Sequence, residues 1–112
     1  MTYKNYLSMI ADAKTYATAE EHLADYGYPA DCPFTGDGLV KAFRIIHAVS
    51  REDFNAIVAE TGLSIYAFAK MFDIPKQTAA HWAGGKRTPP SYTLQLIGYA
   101  CISIFCERDD DI

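Results

Sequence analysis

The sequence predicts an all-α protein: a compact domain of about five to six helices with an extra helical extension at its amino terminus. Apolar residues recur at spacings of three and four along most of the 112 residues, which is the period of an amphipathic helix. Helix start and stop signals separate these segments. The one candidate strand, residues 94 to 105, is too long and lacks alternation. Half of the residues are apolar, which is enough for one core.

Two helices are predicted at the amino terminus. Residues 3 to 17 place their apolar side chains on one face of a first helix. Thr18 and Glu21 then form a capping-box pattern, in which each side chain satisfies an open backbone amide. The second helix starts there and ends before Gly27.

A loop and two further helices are predicted between Tyr28 and Gly62. Two prolines and two glycines between Tyr28 and Gly38 are typical of a loop. Apolar residues from Leu39 follow a helix, and residues 50 to 53 carry a new helix start signal. We therefore predict two helices with a corner near Ser50, or one long helix bent there. Residues 1 to 50 would form the extension that packs on the core.

The stretch from Ser64 to Ser91 predicts two short helices at a sharp turn, which is a helix-turn-helix. The Ser64 hydroxyl is expected to cap the first helix. Pro75 disfavours helical backbone at the preceding residue but fits a helix start, so a second helix begins there and ends at Gly84. The residues expected to be buried are Ala67, Phe68, Met71 and Phe72 in the first helix, and Ala79 and Trp82 in the second.

The run AFAKMFDIPKQTAAHWAGGKRTPP resembles the helix-turn-helix of Cro-like phage repressors and their bacterial relatives, the Xre class. The matching positions are Ala69 and Ile74 around the turn, followed by Thr78, Trp82 and the segment Gly85 to Arg87. The resemblance spans roughly residues 51 to 105. It implies a helix-turn-helix DNA-binding domain over residues 51 to 106 and a transcriptional regulator, of the repressor type found on phages and mobile elements.

Two positions depart from the family pattern. Asp73 replaces the usual glycine of the turn, and Asp can adopt left-handed backbone at some cost. Ala79 replaces the usual β-branched residue in the second helix. The packing of the two helices is therefore expected to depend on Trp82.

The net charge of −4 argues against nucleic-acid binding, because phosphate contacts need local positive charge. Its distribution changes that conclusion. Residues 64 to 100 carry four basic residues and one acidic residue, a net charge of +3, whereas residues 1 to 63 carry −4 and residues 101 to 112 carry −3. A basic centre between acidic flanks would orient the protein on DNA. Residues 107 to 112 would form an acidic tail.

A recognition helix at residues 75 to 84 would enter the major groove of double-stranded DNA with its early residues toward the base edges. Gln77 can pair bidentately with adenine and Lys76 with guanine, and Ala80 can touch a thymine methyl group. His81 fits either a DNA contact or simple exposure to solvent. The candidates for reading bases are Lys76, Gln77, Thr78, Ala80 and His81. The candidates for binding phosphates are Ser64, Tyr66, Lys70, Lys86 and Arg87.

A homodimer is expected, because a net charge of +3 is small for one copy and two recognition helices about 34 Å apart can read successive half-sites. The final helix follows a cap at Thr88 with proline in its first turn. It is apolar around much of its circumference. The dimer interface would be this helix, the tyrosine-rich amino-terminal helices, or both.

Another class of function also fits the sequence. The overall acidity suits a helix-turn-helix scaffold that serves as a protein-protein interaction module instead of a DNA reader. An antitoxin would join the two functions, with a toxin as the possible protein partner through residues 1 to 50.

The sequence predicts neither a metal site nor a cofactor. The spacing of His22 and His47 matches no ligand pattern with each other or with the cysteines. Cys101 and Cys106 lie five residues apart, and no cysteine pair has the C-x-x-C spacing. We therefore expect reduced, buried thiols.

No catalytic residues are predicted, so an enzyme is not expected. Glu20-Glu21 and Glu52-Asp53 lie at helix starts, where carboxylates stabilise the helix dipole. The first residues lack a signal-peptide pattern, and no apolar run approaches the roughly 18 residues of a membrane span. These features predict a cytoplasmic protein with no membrane contact.

Overall fold

The structure is a computed structural model, and it describes residues 1–27 and 31–106. Within these ranges helices are the regular secondary structure and no strand is present, which confirms the predicted all-α fold class. None of the described helices is long and apolar enough to cross a membrane. Part of the predicted loop, residues 28 to 30, and the predicted acidic tail, residues 107 to 112, lie outside the described residues. The helices are α1 (Tyr3–Ala13), α2 (Ala19–Tyr26), α3 (Gly36–Ser50), α4 (Phe54–Thr61), α5 (Ile65–Met71), α6 (Lys76–Ala83) and α7 (Ser91–Phe105).

Helix α3 is the centre of the fold. It contacts α1, α2, α4 and α7, and its Ala42, Phe43, Ile45 and Ile46 are fully buried. Since these buried residues point in several directions around the helix, α3 is covered on more than one side. The amino-terminal helices therefore share one hydrophobic core with α4 and α7.

Helix α7 approaches α1 and α3 closely at Gly98. The Tyr6 hydroxyl donates a hydrogen bond of 2.7 Å to the backbone oxygen of Gln95, one turn earlier in α7. A Cβ atom at Gly98 would lie 2.5 Å from both Tyr6 Oη and Val49 Cγ2. The Tyr6 ring also packs against Tyr3 and Tyr99, with centroids 5.6 and 5.1 Å away. A side chain at residue 98 would thus disturb both contacts.

Helix α1 ends at Ala13, so the prediction that it continues to residue 17 is wrong. The chain turns after Ala13 because Tyr16 packs back on α2, where its hydroxyl donates a 2.5 Å hydrogen bond to Asp25. Helix α2 follows the predicted bounds and the Thr18 half of the predicted capping box. The Thr18 hydroxyl accepts a hydrogen bond from the Glu21 amide at 3.1 Å, and the helix ends at Gly27.

Helix α3 begins at Gly36, whereas the loop was predicted to continue to Gly38. Gly36 has a φ of 51°, which lets the chain turn from the buried Phe34 directly into the helix. At the other end, α3 and α4 are two separate helices, as one of the two alternatives predicted. Glu52 in the corner has a φ of 52°, and the Asp53 carboxylate caps α4 by accepting a bond from the Ala56 amide.

Helix α7 starts at Ser91, and the predicted cap at Thr88 is wrong. Pro90 occupies the capping position with extended backbone. Because a residue before proline is disfavoured in helical conformation, the two prolines delay the helix until both have passed. The Ser91 hydroxyl instead donates a hydrogen bond to the Glu52 carboxylate.

The three cysteines are buried and carry thiols, as expected. Burial raises the pKa of Cys101 and of Cys106 to about 12. These thiols therefore remain protonated at neutral pH, which makes them poor nucleophiles.

His22 is a fully buried polar side chain. Its ring is stacked on Tyr16 at 4.8 Å and meets the edges of Phe43 and Tyr26 at 4.9 and 5.5 Å. Within the described residues, neither of its nitrogens has a hydrogen-bond partner. Burial lowers the pKa of His22, and nearby His47 lowers it further, although Asp12 and Asp25 act in the opposite direction.

We expect Gly98→Ala to destabilise the fold by about 1 to 2 kcal/mol. Overpacking a core typically costs about 1 to 3 kcal/mol, and two contacts at 2.5 Å place this site in the upper part of that range, at about 2 to 3 kcal/mol. The higher helix propensity of alanine offsets about 1 kcal/mol of it. Urea denaturation measures the difference. Ser103→Ala, on the exposed face of the same helix, is the control and should be nearly neutral. A Gly98→Ala variant as stable as wild type would show that the contact at Tyr6 and Val49 is not close.

We expect the unfolding free energy to fall as the pH drops through about 6.5, the ordinary pKa of histidine in an unfolded chain. The unfolded chain binds a proton there that the buried His22 ring resists, so acid favours unfolding until the lower folded pKa is passed. His22→Phe keeps the ring contacts and should lose most of this decline, with His47 accounting for the rest. Denaturation curves across this pH range test the prediction, which fails if the variant declines as steeply as wild type.

Candidate nucleic-acid interface

Helix α5 is capped at both ends and is followed by a tight turn that leads into α6. The Ser64 hydroxyl caps α5 by accepting a hydrogen bond from the Ala67 amide at 3.1 Å, as predicted. At its other end Asp73 has a φ of 55°, and the Ile74 amide bonds back to the oxygen of Ala69 at 2.8 Å. This bond pattern around a left-handed residue is a Schellman motif. Asp73 therefore takes the conformation in which a glycine would be expected.

Helix α6 starts after Pro75 and ends in the same kind of motif. Gly85 has a φ of 76°, and the Lys86 amide bonds to the oxygen of His81 at 2.9 Å. The Arg87 amide bonds to the same oxygen at 3.3 Å. The basic loop after α6 thus leaves the helix in a defined direction.

A line of aromatic rings joins the two helices to α4. Trp82 is half-buried and meets Phe54 at 5.4 Å, and Phe54 meets Phe68 at 5.6 Å, both edge to face. Phe68 in turn contacts Phe72 at 4.7 Å. Trp82 is therefore part of the packing between helices, consistent with the small side chain at Ala79, which is buried.

Met71 was expected to be buried, and this prediction is wrong, because 47% of its surface is exposed. The buried side of α5 is centred on Phe68, Ala69 and Phe72. At 100° per residue, Met71 lies roughly 100° around the helix from that centre. An apolar residue in a seven-residue helix can match the helical spacing and still miss the buried face.

The base-reading candidates occupy the outer side of α6. Lys76, Gln77 and Ala80 are exposed, whereas His81 and Thr78 are half-buried. Lys76, Gln77 and Ala80 lie within about 100° of each other around the helix. His81 lies at the edge of this face, and Thr78 lies farther toward the buried side.

The phosphate-binding candidates form two groups at opposite ends of α6. Tyr66, Lys70 and Lys76 line a groove of about 230 Å³ between α5 and α6. The Lys76 amine lies over the Tyr66 ring, 5.3 Å from its centroid, as a cation–π pair. Lys86 and Arg87 follow the other end of α6, whose eight residues make it about 12 Å long. Ser64 lies at the start of α5, and its oxygen already accepts the capping bond.

The basic side chains of this surface form no ion pair within the described residues. The one ion pair there joins Arg44 to Glu20, away from the α5–α6 unit. Lys70, Lys86 and Arg87 are exposed and make no ion pair with a described carboxylate. A surface of this kind attracts anions, and the attraction weakens as salt is added.

The ends of the basic loop, residues 84 to 90, are contacted by two residues near the α3–α4 corner, Glu52 and Asn55. The sequence did not indicate either contact. The Asn55 side-chain amide donates a 2.8 Å hydrogen bond to the backbone oxygen of Ala83. Glu52 accepts the bond from Ser91. Both bonds join residues far apart in the chain, so no local pattern indicates them. Within the described residues, no three His, Cys, Asp or Glu side chains are grouped to hold a metal ion.

Comparison with known proteins gave no match to this chain among family models, curated proteins or solved structures.

Proposed function

We propose that this protein is a cytoplasmic, sequence-specific DNA-binding transcriptional regulator, of the Cro-like repressor type that residues 51 to 105 resemble. The observation that carries the proposal is the outer face of α6, with Lys76, Gln77 and Ala80 exposed side by side between two groups of basic side chains that form no ion pair with a described carboxylate. Helix α6 would lie in the major groove of double-stranded DNA.

The exposed face of α6 suits direct reading of base edges. Gln77 would pair bidentately with adenine and Ala80 would contact a thymine methyl group. Lys76 would leave the Tyr66 ring to reach guanine, or stay there and contact a phosphate. His81 flanks the face and would add a contact at its edge, whereas Thr78 lies farther toward the buried side and would reach DNA only beyond that edge. Each good bidentate pair would contribute about 1 to 3 kcal/mol of discrimination against the wrong base.

The cations at both ends of α6 suit the DNA backbone. Lys70 and Tyr66 would bind a phosphate on one side of the groove, and Lys86 and Arg87 a phosphate on the other. The Ser64 hydroxyl accepts the capping bond and still has a proton to donate. These contacts would set affinity and register without carrying sequence information.

A dimer through α7 fits the same proposal. This helix of 15 residues contains no charged side chain, and its Tyr92, Leu96 and Ile104 are 65%, 56% and 51% exposed. Tyr3 and Tyr6 are packed on Tyr99 within the fold, which leaves α7 as the better surface for a second copy. A partner chain would remove its apolar face from water.

A second candidate function, protein binding through residues 1 to 50, is favoured by a groove of about 360 Å³ beside α3. Ala17, Ala19, Ala48 and Ala56 line it with small side chains, and the Glu20 to Arg44 ion pair lies at the same groove. An interaction module or antitoxin would use such a surface for a partner protein. A lack of DNA binding at low salt would favour this candidate over the first.

We expect the wild-type protein to select duplexes from a random-sequence pool, and Lys86→Ala/Arg87→Ala to weaken binding to them. Removing two phosphate contacts should reduce the slope of log affinity against log salt by about 2. Lys4→Ala/Lys14→Ala removes the same charge from exposed positions of the amino-terminal region and is the matched control. Equal slopes for the two double variants would contradict the proposed docking.

We expect Leu96→Glu to dissociate the dimer, because it places a charge in the apolar face of α7. Sedimentation equilibrium measures the change, and DNA affinity should fall with it. Ala11→Glu, on the exposed side of α1, is the matched control. If Ala11→Glu dissociates the dimer and Leu96→Glu does not, the interface lies on the amino-terminal helices instead.

A further inference from the structure

The loop that carries Lys86 and Arg87 is attached at both ends to the α3–α4 corner. At the start of the loop, Asn55 Nδ2 donates to the backbone oxygen of Ala83, the last residue of α6, at 2.8 Å. At the end of the loop, the Ser91 hydroxyl donates to the Glu52 carboxylate. Residues 84 to 90 therefore span between two hydrogen bonds to a neighbouring part of the fold.

The bond from Asn55 satisfies a group that the helix itself leaves open. The last carbonyl groups of a helix have no partner within it, and Ala83 supplies one of these at the end of α6. The Lys86 and Arg87 amides both bond to the oxygen of His81. Asn55 thus binds the same turn of backbone that directs the basic loop away from the helix.

Side-chain packing does little to hold this loop. A groove of about 390 Å³ lies between the loop and the corner. The residues of the loop are exposed except for Pro89, which is buried. Little apolar surface is therefore buried under Lys86 and Arg87. In such a segment the conformations are limited by its backbone bonds to His81 and by the hydrogen bonds at its two ends.

The start of α4 is held by a helix cap and by a buried aromatic ring. Asp53 caps α4 through the Ala56 amide, and the next residue, Phe54, is buried against Trp82 at 5.4 Å. Asn55 follows Phe54 directly and so has a fixed position relative to α6. A side chain in this position can restrain the loop without touching a ligand bound there.

We propose that Asn55 is a positioning residue for the DNA backbone contacts of Lys86 and Arg87, an inference that rests on the proposed function. By holding the Ala83 carbonyl it limits the loop to orientations close to the bound one. Binding then costs less conformational entropy, because two long cationic side chains start from an ordered backbone. Since phosphates carry no sequence information, the gain applies equally to every duplex.

The test uses Asn55→Ala in the full chain. Alanine has a higher helix propensity than asparagine, which offsets part of the cost of the lost hydrogen bond, so we expect Tm to change little. A purely structural role predicts a lower Tm and faster exchange throughout the fold. We expect amide hydrogen exchange at residues 84 to 88, the non-proline part of the loop, to become several-fold faster. Affinity should fall about two- to tenfold, the usual worth of one hydrogen bond. The fall should be equal for a duplex selected by the wild-type protein and for a shuffled duplex of the same composition.

Asn5→Ala is the matched control. It removes a side-chain hydrogen bond of 2.7 Å from Asn5 to Asp31, in the amino-terminal part of the chain, and should change neither exchange in the loop nor DNA binding. Unchanged loop exchange in Asn55→Ala overturns the positioning role directly. So does unchanged affinity, or a loss confined to the selected duplex. If the wild-type protein binds no duplex at low salt, the proposed function fails, and this role of Asn55 fails with it.

Discussion

The burial of Phe54 is the contact on which the geometry of the helix-turn-helix unit depends. Helices α5 and α6 have seven and eight residues, and helices this short are not stable alone in water. Phe54 begins α4, is 3% exposed, and meets the rings of both Phe68 and Trp82 edge to face. One side chain thus joins both short helices to the core that α3 organises. The direction of the exposed face of α6 is set relative to α7, and hence to any second copy bound there.

The parts of the fold that the sequence predicted well are those set by neighbouring residues. Thr18, Asp53 and Ser64 each cap a helix through an amide three positions later, and Gly27 and Gly62 follow two helix ends. A cap or a glycine stop acts within one turn, so the local sequence contains all the information needed. The exposed side of α6 follows similarly from the helical period, which separates Lys76, Gln77 and Ala80 from the buried Ala79.

The parts that the sequence missed depend on residues distant in the chain. Helix α1 stops early because Tyr16 packs on α2, and Met71 is exposed because the position of α4 selects the buried side of α5. The contact of Asn55 with Ala83 joins residues 28 positions apart. None of these could be predicted from a local pattern, because each requires the relative placement of two helices. Part of the candidate site is of this second kind, since Tyr66 and Lys76 also meet across two helices.

The left-handed backbone of Glu52 and Asp73 affects how many backbone conformations the chain can adopt at two of its turns. Both residues lie next to the candidate interface, one in the corner behind the basic loop and one in the turn before α6. Each costs roughly 1 kcal/mol relative to glycine. Glycine would relieve that strain, but it would also allow many more backbone conformations in the open or unfolded chain. A side chain at these two turns reduces the number of backbone conformations that the turns can adopt. The chain thus accepts backbone strain in the folded state and has fewer ways to bend between its helices.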